Sequence, residues 1–253
     1  MSGDASQYSH RRSRVLHSYA AAVNVTTEFD AAAATYNRLV GASPGYYSNL
    51  SRSAHRMRIP GNGAGLHLLD LGCGTGASTL ALLAAAPQAR ITAVDASAGM
   101  LAQARQADWP DRVSFVHARA EELADAGVHG PFDGIFAAYL VRNLPDPDPV
   151  LTRLCDQLAP GAPLAVHDYA LDGRARSAAI WTAVCWSVII PAGKVVTGRA
   201  ALYRYLWRSV LRFDTVDALA ARLRGHGLVD TRIETMPGWE RGIVHTVVAR
   251  RPA

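Results

Sequence analysis

Hydrophobic and polar residues follow two different periods along this chain. From Leu66 onward, short apolar runs typical of buried strands alternate with stretches of helical period. The runs predict strands over 66–71, 90–94, 113–117, 132–137, 163–167, 228–236 and 243–250. Between them, we expect helices over 77–86, 97–107, 149–158 and 216–226. Repeated strand–helix units of this length indicate an α/β fold, with a parallel sheet and helices on both of its faces.

Two parts of the chain do not follow this alternation. Residues 1–25 are rich in Ser, Arg and Ala and predict a flexible N-terminal arm, with a single domain over 26–253. One helix is expected to begin at Thr26–Asp30, where Thr27 can act as N-cap. A second helix is expected over 46–57. The segment of about 173–212 has a helical, aromatic and apolar pattern, which predicts a helical cap inserted in the domain. The apolar run 178–192 is too short to span a bilayer, which favours a core or pocket helix.

Composition narrows the class of protein. Three widely spaced cysteines without a CxxC pair predict no metal site and no disulfide framework, and favour a reducing compartment. The N-terminus has no apolar signal segment, so we expect a cytoplasmic location. The net charge is +5, but the 25 arginines are spread along the chain, with clusters at 11–14 and 204–212. This pattern indicates that the positive charge comes from a compositional bias and not from a nucleic-acid binding surface. The alternative is a weak attraction to anionic substrates or lipid headgroups.

A glycine-rich loop carries the strongest chemical signal. Gly72, Gly74 and Gly76 follow a predicted strand that ends in Asp70-Leu71, and Asp95 ends the next strand. A carboxylate in the position of Asp95 can accept both ribose hydroxyls of a nucleoside. Asp70 beside the loop would repel a pyrophosphate but suits a cationic amino-acid ligand. The combination therefore predicts S-adenosylmethionine (SAM), which carries a ribose, a sulfonium and an α-amino group and no phosphate.

These residues resemble the class I SAM-dependent methyltransferases. Segments at Arg142-Asn143, at 189–193 (IIPAG) and at 203–209 (YRYLWRS) are similar to the ubiquinone/menaquinone biosynthesis C-methyltransferase family, and the similarity extends over roughly 29–250. The resemblance implies a Rossmann-like, doubly wound, seven-stranded and mostly parallel sheet with an antiparallel last strand. It also implies a methyltransferase that acts on a hydroxylated aromatic or quinol acceptor, with a prenylated acceptor as one option.

The candidate site residues follow from the motifs and the resemblance together. The cofactor-binding candidates are Asp70, Gly72, Cys73, Gly74, Gly76, Asp95, Ala96, Met100, Arg119, Ala120, Glu121 and Ala138. The catalytic candidates are Arg142, Asn143 and His167, and the substrate-binding candidates are Tyr36, Tyr139, Trp186 and Tyr203.

Each candidate has a structural alternative. Arg142 can stabilise a developing oxyanion, or it can pair with Asp146 or Asp148. Asn143 can bind a second ring oxygen or cap a turn, and His167 can be a general base or a structural histidine. The aromatic residues of the cap can line a pocket or pack the cap onto the sheet.

The chain departs from the family pattern in two places. Arg119 stands where the family has an acidic residue near the adenine, and Glu121 is a candidate to compensate. Near the first helices, the family's polar motif is replaced by Asn37, Val40 and Gly41, and later by Tyr47, Ser48 and Leu50. These changes fall where a quinol ring would be enclosed.

Rival functions stay open at this point. One is an O- or C-methyltransferase of specialised metabolism with a polyketide or terpenoid acceptor, and another is a non-catalytic SAM-fold binding subunit. We expect a small-molecule acceptor and no nucleic-acid partner. Two further options stay open: peripheral membrane contact through a lipophilic substrate, and a homodimer.

Overall fold

The structure is a computed structural model that describes residues 45–198 and 200–253, except the side chain of Thr197. The predicted N-terminal arm, the helix expected after Thr26 and the substrate candidate Tyr36 lie outside the described residues. These three expectations therefore stay predictions.

Seven strands form one sheet with the order β3-β2-β1-β4-β5-β7-β6. Their bounds are His67–Leu71 (β1), Arg90–Asp95 (β2), Val113–His117 (β3), Gly134–Ala138 (β4), Pro163–Tyr169 (β5), Val229–Thr235 (β6) and Val244–Arg250 (β7). Strands β1 to β5 pair in parallel, and β7 runs antiparallel to both β5 and β6. The predicted doubly wound sheet with an antiparallel last strand is confirmed.

The described residues include eight α-helices. Their bounds are Tyr46–Arg56 (α1), Ala77–Ala85 (α2), Ala98–Ala104 (α3), Pro147–Gln157 (α4), Ala175–Val184 (α5), Ile190–Thr197 (α6), Ala200–Arg212 (α7) and Val216–Gly225 (α8). Short 3₁₀ turns occupy Gly61–Gly63, Val141–Asn143 and Gly238–Glu240, and a π-helical turn, Cys185–Ile189, joins α5 to α6.

Side-chain caps explain where two helices differ from the sequence prediction. α4 begins two residues earlier than predicted, because the Asp146 carboxylate accepts a hydrogen bond from the Asp148 N–H. α3 begins one residue after the predicted Ser97, whose hydroxyl caps the helix by accepting from the Met100 N–H. In both cases a short polar side chain satisfies an N–H that has no partner inside the helix.

The sheet separates two apolar cores. Alternate residues of each central strand point to opposite faces, so that Leu69 and Leu71 enter one core while Leu68 enters the other. Helices α4 and α8 cover the first face through leucines, and α1 and α2 cover the second. The carboxyl ends of β1, β2, β4 and β5 stay at one open edge, where α/β proteins bind their ligands.

The segment 173–212 forms a third apolar cluster of its own. α5, the π turn and α6 run as one helical rod, Ala175–Val196, which is 22 residues long and apolar enough to cross a membrane by length and composition alone. Trp181, Cys185 and Ile190 on one side of the rod pack against Tyr203 of α7. Most of the rod is exposed, so the expectation of a core helix is wrong for its outer side.

The junction of α6 and α7 generates the first test. A Cβ atom at Gly193 would overlap the ring of Tyr203. We expect Gly193→Ala to lower the free energy of unfolding by about 1–3 kcal/mol, the usual cost of forcing extra volume into a packed site. Urea unfolding measures the change.

The matched control is Gly225→Ala, since a Cβ there meets no atom within 4 Å. Alanine favours a helix over glycine, so this variant is expected to be neutral or slightly more stable. Equal stability of the two variants would show that the Gly193–Tyr203 contact does not limit the packing of the segment.

Candidate functional site

The loop between β1 and α2 contains three glycines with positive φ angles: 77° at Gly72, 55° at Gly74 and 93° at Gly76. A Cβ at Gly72 would lie 3.2 Å from Leu140, and one at Gly76 would lie 2.7 Å from the ring of Trp109. At Gly74, by contrast, a Cβ would meet nothing within 4 Å. The outer glycines therefore serve close packing, while Gly74 presents open backbone at the tip of the loop.

Asp95 connects this loop to the end of β2. Its carboxylate accepts hydrogen bonds from the Gly74 N–H at 2.7 Å and from the Ser97 N–H at 2.8 Å. The side chain is only partly buried. Ala96 follows at the same edge, and Met100 is buried in the first turn of α3. A partly accessible carboxylate beside an open glycine is the arrangement predicted for ribose binding.

Asp70 is completely buried behind the loop. Its Oδ2 accepts hydrogen bonds from Ser78 at 2.8 Å and Thr79 at 2.6 Å, while its Oδ1 has no partner among the described residues. Burial raises the pKa of Asp70 to about 7, and nearby Asp95 adds to the shift, while the two hydroxyl groups oppose it. A cationic group would stabilise the ionised form of this carboxyl.

The other cofactor candidates lie around the same edge. Ala138 is buried at the end of β4, and Ala120 is buried after β3. Arg119 is exposed and forms an ion pair of 3.6 Å with Glu121, so these two side chains partner each other. Burial raises the pKa of the Cys73 thiol well above its usual value, which favours a small residue of the turn over a reactive thiol.

Arg142 lies in the 3₁₀ turn after β4, two residues beyond the Leu140 that touches Gly72. Its Nε donates to the Asp168 carboxylate at 3.2 Å, and its Nη1 donates to Ser209 at 2.5 Å. The carboxylate is fully buried and also accepts from the Arg142 and Tyr169 N–H groups. Burial raises the pKa of Asp168, and the guanidinium acts against this shift.

The alternative partners expected for Arg142 are wrong. The side chain pairs with Asp168 in place of Asp146 or Asp148, because Asp168 ends the neighbouring strand β5. Asp148 binds Arg222 at 2.5 Å instead. None of the hydrogen bonds of Arg142 to described residues uses Nη2.

Asn143 holds the turn together. Its Nδ2 donates to the Tyr139 carbonyl at 2.8 Å, and its Oδ1 accepts from Arg142 at 3.2 Å and from the Tyr205 hydroxyl at 3.3 Å. The amide is thus engaged on both sides, as in the turn-capping alternative. Through Tyr205 it also ties the turn to α7.

His167 is fully buried, with both ring nitrogens engaged. Its Nδ1 lies 2.9 Å from the Ser53 hydroxyl, and its Nε2 lies 2.9 Å from the Tyr139 hydroxyl. Burial, with a smaller contribution from Arg56, lowers the pKa of His167 to about 3. The ring is therefore neutral at physiological pH, and its nitrogens reach the site only through Tyr139.

Tyr139 adopts a backbone conformation that is rare for a bulky residue, with φ of 55°. Its N–H donates to the His167 carbonyl at 2.7 Å, and its ring stacks on Tyr46 at 5.6 Å between centroids. Tyr169 lies 5.4 Å away. The contacts hold an aromatic wall beside the turn that carries Arg142.

The two cap candidates for substrate binding differ in their burial. Tyr203 is buried in the cluster that joins α6 and α7. Trp186 is 48% exposed and meets Trp207 edge to face at 5.5 Å. The structure thus gives Tyr203 a packing position and Trp186 a solvent-facing one.

Several residues that position the site were missed by the sequence analysis. Asp168 directly follows the candidate His167, and Ser209 ends the YRYLWRS segment, so both stood within motifs that were noted. Ser53, Thr246 and Trp109 had no such signal, because their contacts cross long stretches of sequence.

Comparison with known proteins identifies the family of this chain. A family model described as a methyltransferase domain matches residues 68–161. A ubiquinone/menaquinone biosynthesis C-methyltransferase UbiE of Bradyrhizobium diazoefficiens is 31% identical over 176 residues, which cover 68% of this chain and 69% of the relative. The chain belongs to the SAM-dependent methyltransferase family that includes these enzymes.

Other similarities are more partial. An uncharacterized protein of a Synechococcus strain is 41% identical over 113 residues, but this match spans 27% of that protein. The phosphoethanolamine N-methyltransferase 2 of Haemonchus contortus, solved with S-adenosylhomocysteine, has a TM-score of 0.63 at 17% identity. That match covers 88% of this chain and 58% of the other, and shows the shared fold.

The residues of this methyltransferase fit SAM, its cofactor. The unpartnered Oδ1 of buried Asp70 is an acceptor suited to an ammonium group, and Asp95 is an acceptor suited to ribose hydroxyls. The open space at Gly74 lies on the Asp95 side of the loop. The prediction that this loop and these two carboxylates bind SAM is therefore compatible with the geometry, and the experiment below tests it.

The raised pKa of Asp70 makes SAM binding pH-dependent. Because only the ionised carboxylate pairs with an ammonium, SAM affinity should rise by up to tenfold per pH unit as pH increases towards 7. It should fall again above about pH 8, where an α-amino group loses its proton. Isothermal titration calorimetry across pH 5.5–8.5 measures this profile.

Two variants separate the carboxylates. Asp70→Asn should remove the rise in SAM affinity below pH 7. Asp95→Ala should weaken SAM binding by roughly 1–3 kcal/mol at every pH, which is the scale for lost charged hydrogen bonds. A wild-type profile that is flat below pH 7, or one that Asp70→Asn leaves unchanged, would rule out Asp70 as the ammonium partner.

Proposed function

We propose that this methyltransferase acts on a small hydroxylated aromatic acceptor, with a quinol as the favoured class. The observation that carries the proposal is the placement of Arg142. A buried carboxylate and a serine fix the guanidinium at the carboxyl edge of β4, and its Nη2 is left without a described partner. A cation held in this way suits an oxygen that gains negative charge.

The chain's own groups support methylation of a phenol or quinol. SAM, when bound, supplies an electrophilic methyl group on its sulfonium. Transfer of that group to an acceptor carbon or oxygen would break the S–C bond and leave S-adenosylhomocysteine, and the acceptor's proton would pass to solvent. The role of the Arg142 guanidinium is to stabilise the acceptor oxyanion, while Asp168 and Ser209 orient it.

His167 acts as a positioning residue in this proposal, which corrects its assignment as a general base. With a pKa of about 3, it would bind a proton too weakly to remove one near neutral pH. Its contacts instead help to hold Tyr139 in a left-handed conformation that costs about 1–3 kcal/mol. The Tyr139 ring then provides a flat apolar wall for an aromatic acceptor.

The relatives favour a quinol over other aromatic acceptors. The similar protein of Bradyrhizobium diazoefficiens is described as a ubiquinone/menaquinone biosynthesis C-methyltransferase. Among the departures, Tyr47 and Ser48 are exposed on α1 next to Tyr46, which stacks on Tyr139, whereas Leu50 is buried in the core below. A changed acceptor ring is therefore compatible with a retained cofactor site.

A panel of acceptors tests this proposal. Full-length protein is incubated with methyl-labelled SAM and a set of quinols, flavonoids, polyketides and terpenoid alcohols, and the products are identified by mass spectrometry. We expect methylation of a quinol or phenol at a ring carbon or its oxygen. Turnover only of acceptors without an aromatic hydroxyl would overturn the proposal, and SAM binding without turnover of any aromatic would favour a non-catalytic subunit.

Substitution of Arg142 tests its role in the chemical step. Arg142→Ala should lower kcat by roughly 10²–10³, the range for removal of one oxyanion donor. Arg142→Lys keeps a charge beside Asp168 but loses the planar fork, so it should recover only part of the rate. SAM affinity should change little, since the carboxylates assigned to the cofactor are Asp70 and Asp95.

The control separates catalysis from stability. Arg222 also bridges carboxylates, Asp148 at 2.5 Å and Asp214 at 2.7 Å, but it lies on α8. Arg222→Ala should lower the melting temperature with kcat unchanged. A near-normal kcat in Arg142→Ala, together with a lowered melting temperature, would make Arg142 a structural ion-pair partner only.

A further inference from the structure

Positive charge is concentrated in the helical segment 173–212. This segment contains seven of the 26 basic residues of the chain and none of the 21 acidic ones. The rest of the chain carries 19 basic and 21 acidic residues, so the entire positive excess belongs to these forty residues. No acidic residue lies within the segment itself, and Asp172, just before it, pairs with Arg174 at 3.8 Å.

Exposed apolar side chains occur in the same segment. On the outer side of the rod Ala175–Val196, the exposed fractions are 58% for Val188, 85% for Val195 and 47% for Val196. Trp186, which is 48% exposed, lies on the flank towards α7, where it contacts Trp207. No charged residue occurs between Arg176 and Lys194. The middle of the rod therefore offers an uncharged outer side about 17 residues long, which is unusual for a surface helix in water.

The basic residues frame this apolar side. Arg174 and Arg176 are exposed at one end of the rod, and Lys194 is exposed at the other. On α7, exposed basic residues recur once per turn at Arg204, Arg208 and Arg212. An apolar strip with cations at its ends and along a neighbouring helix is typical of a helix that lies in a membrane interface.

We propose that this surface, which we name the cap face, binds the headgroup region of an anionic bilayer. The cap face consists of the outer side of Ala175–Val196 together with Lys194, Arg204, Arg208 and Arg212. The exposed valines enter the acyl boundary, and the cations meet the anionic lipids. The apolar strip favours a bilayer over a nucleic acid, which would use the cations alone.

The rod lies on the bilayer and does not span it. Its inner side, with Trp181, Cys185 and Ile190, is buried against α7 and the start of β7. A spanning orientation would pull this side out of its protein contacts. The geometry thus gives a peripheral attachment with one helix side in protein and the other in the interface.

The cap face is one helix away from the catalytic turn. α7 contacts Arg142 and Asn143 through Ser209 and Tyr205, and its Trp207 contacts Trp186 of the rod. If the proposed function holds, a lipophilic acceptor can pass from the bilayer to the site across this single layer. Binding to the bilayer itself does not depend on that function.

Vesicle flotation of the full chain tests the proposal without any activity measurement. We expect flotation with vesicles of phosphatidylcholine containing 30% phosphatidylglycerol, and much weaker flotation with phosphatidylcholine alone. Lys194→Gln combined with Arg204→Gln should lower partitioning about 25-fold at low salt, since each cation near an anionic surface is worth about a factor of five. Val188→Asp combined with Val195→Asp should lower it by about tenfold or more.

Matched variants outside the cap face serve as controls. Val229→Asp places the same change at a valine that is 44% exposed on β6, and Arg224→Gln removes an exposed cation of α8. Both should float like the wild type. Circular dichroism and SAM binding confirm that each variant is folded, and neither readout requires an acceptor.

Three results would overturn the proposal. One is equal flotation with neutral and anionic vesicles, or with neither. Another is flotation that the Val188→Asp, Val195→Asp double variant leaves unchanged and that 0.5 M salt abolishes. Binding would then depend on charge alone, as for a polycation that also binds nucleic acid. The third is a dimer in light scattering that Val188→Asp splits while vesicle binding is absent, which would assign the cap face to a second copy of the chain.

Discussion

The buried ion pair of Arg142 and Asp168 joins the parts of the molecule that must meet for function. Arg142 follows β4, Asp168 ends β5, and Ser209 brings α7 to the same guanidinium. Two buried charges of this kind are stable only when each is paired and further hydrogen-bonded, and the Arg142 and Tyr169 N–H groups complete the set. The position of the helical segment 173–212 over the sheet edge therefore depends on this pair.

The sheet could be predicted because its information is local. Leu68, Leu69 and Leu71 are buried on both faces of a central strand, which gives a continuous apolar run that is readable in the sequence. The glycine loop was equally readable, since the positive φ angles at Gly72, Gly74 and Gly76 exclude most other residues. Asp70 and Asp95 followed from it because parallel strands end at one edge.

The catalytic neighbourhood could be predicted only in part, because its contacts are not local. Arg142 was assigned to the site, but its partner was sought at Asp146 and Asp148, close in sequence, while the sheet order places Asp168 beside it. The sequence left His167 open as a general base, but the hydroxyl groups of Ser53 and Tyr139 form hydrogen bonds with both of its ring nitrogens. Nothing in the sequence marks the left-handed turn at Tyr139, which tertiary contacts impose.

Helix α7 has two sides with different contacts. On its inner side, α7 gives the catalytic turn polar contacts from Ser209 and Tyr205, while Arg204 and Arg208 stand on its exposed side. Because Tyr203 is wedged against Gly193, α7 cannot shift without moving the rod that carries Trp186. The contacts of Trp186 with Trp207 and of Ser209 with Arg142 therefore link the rod, through the single helix α7, to the residues that hold the guanidinium.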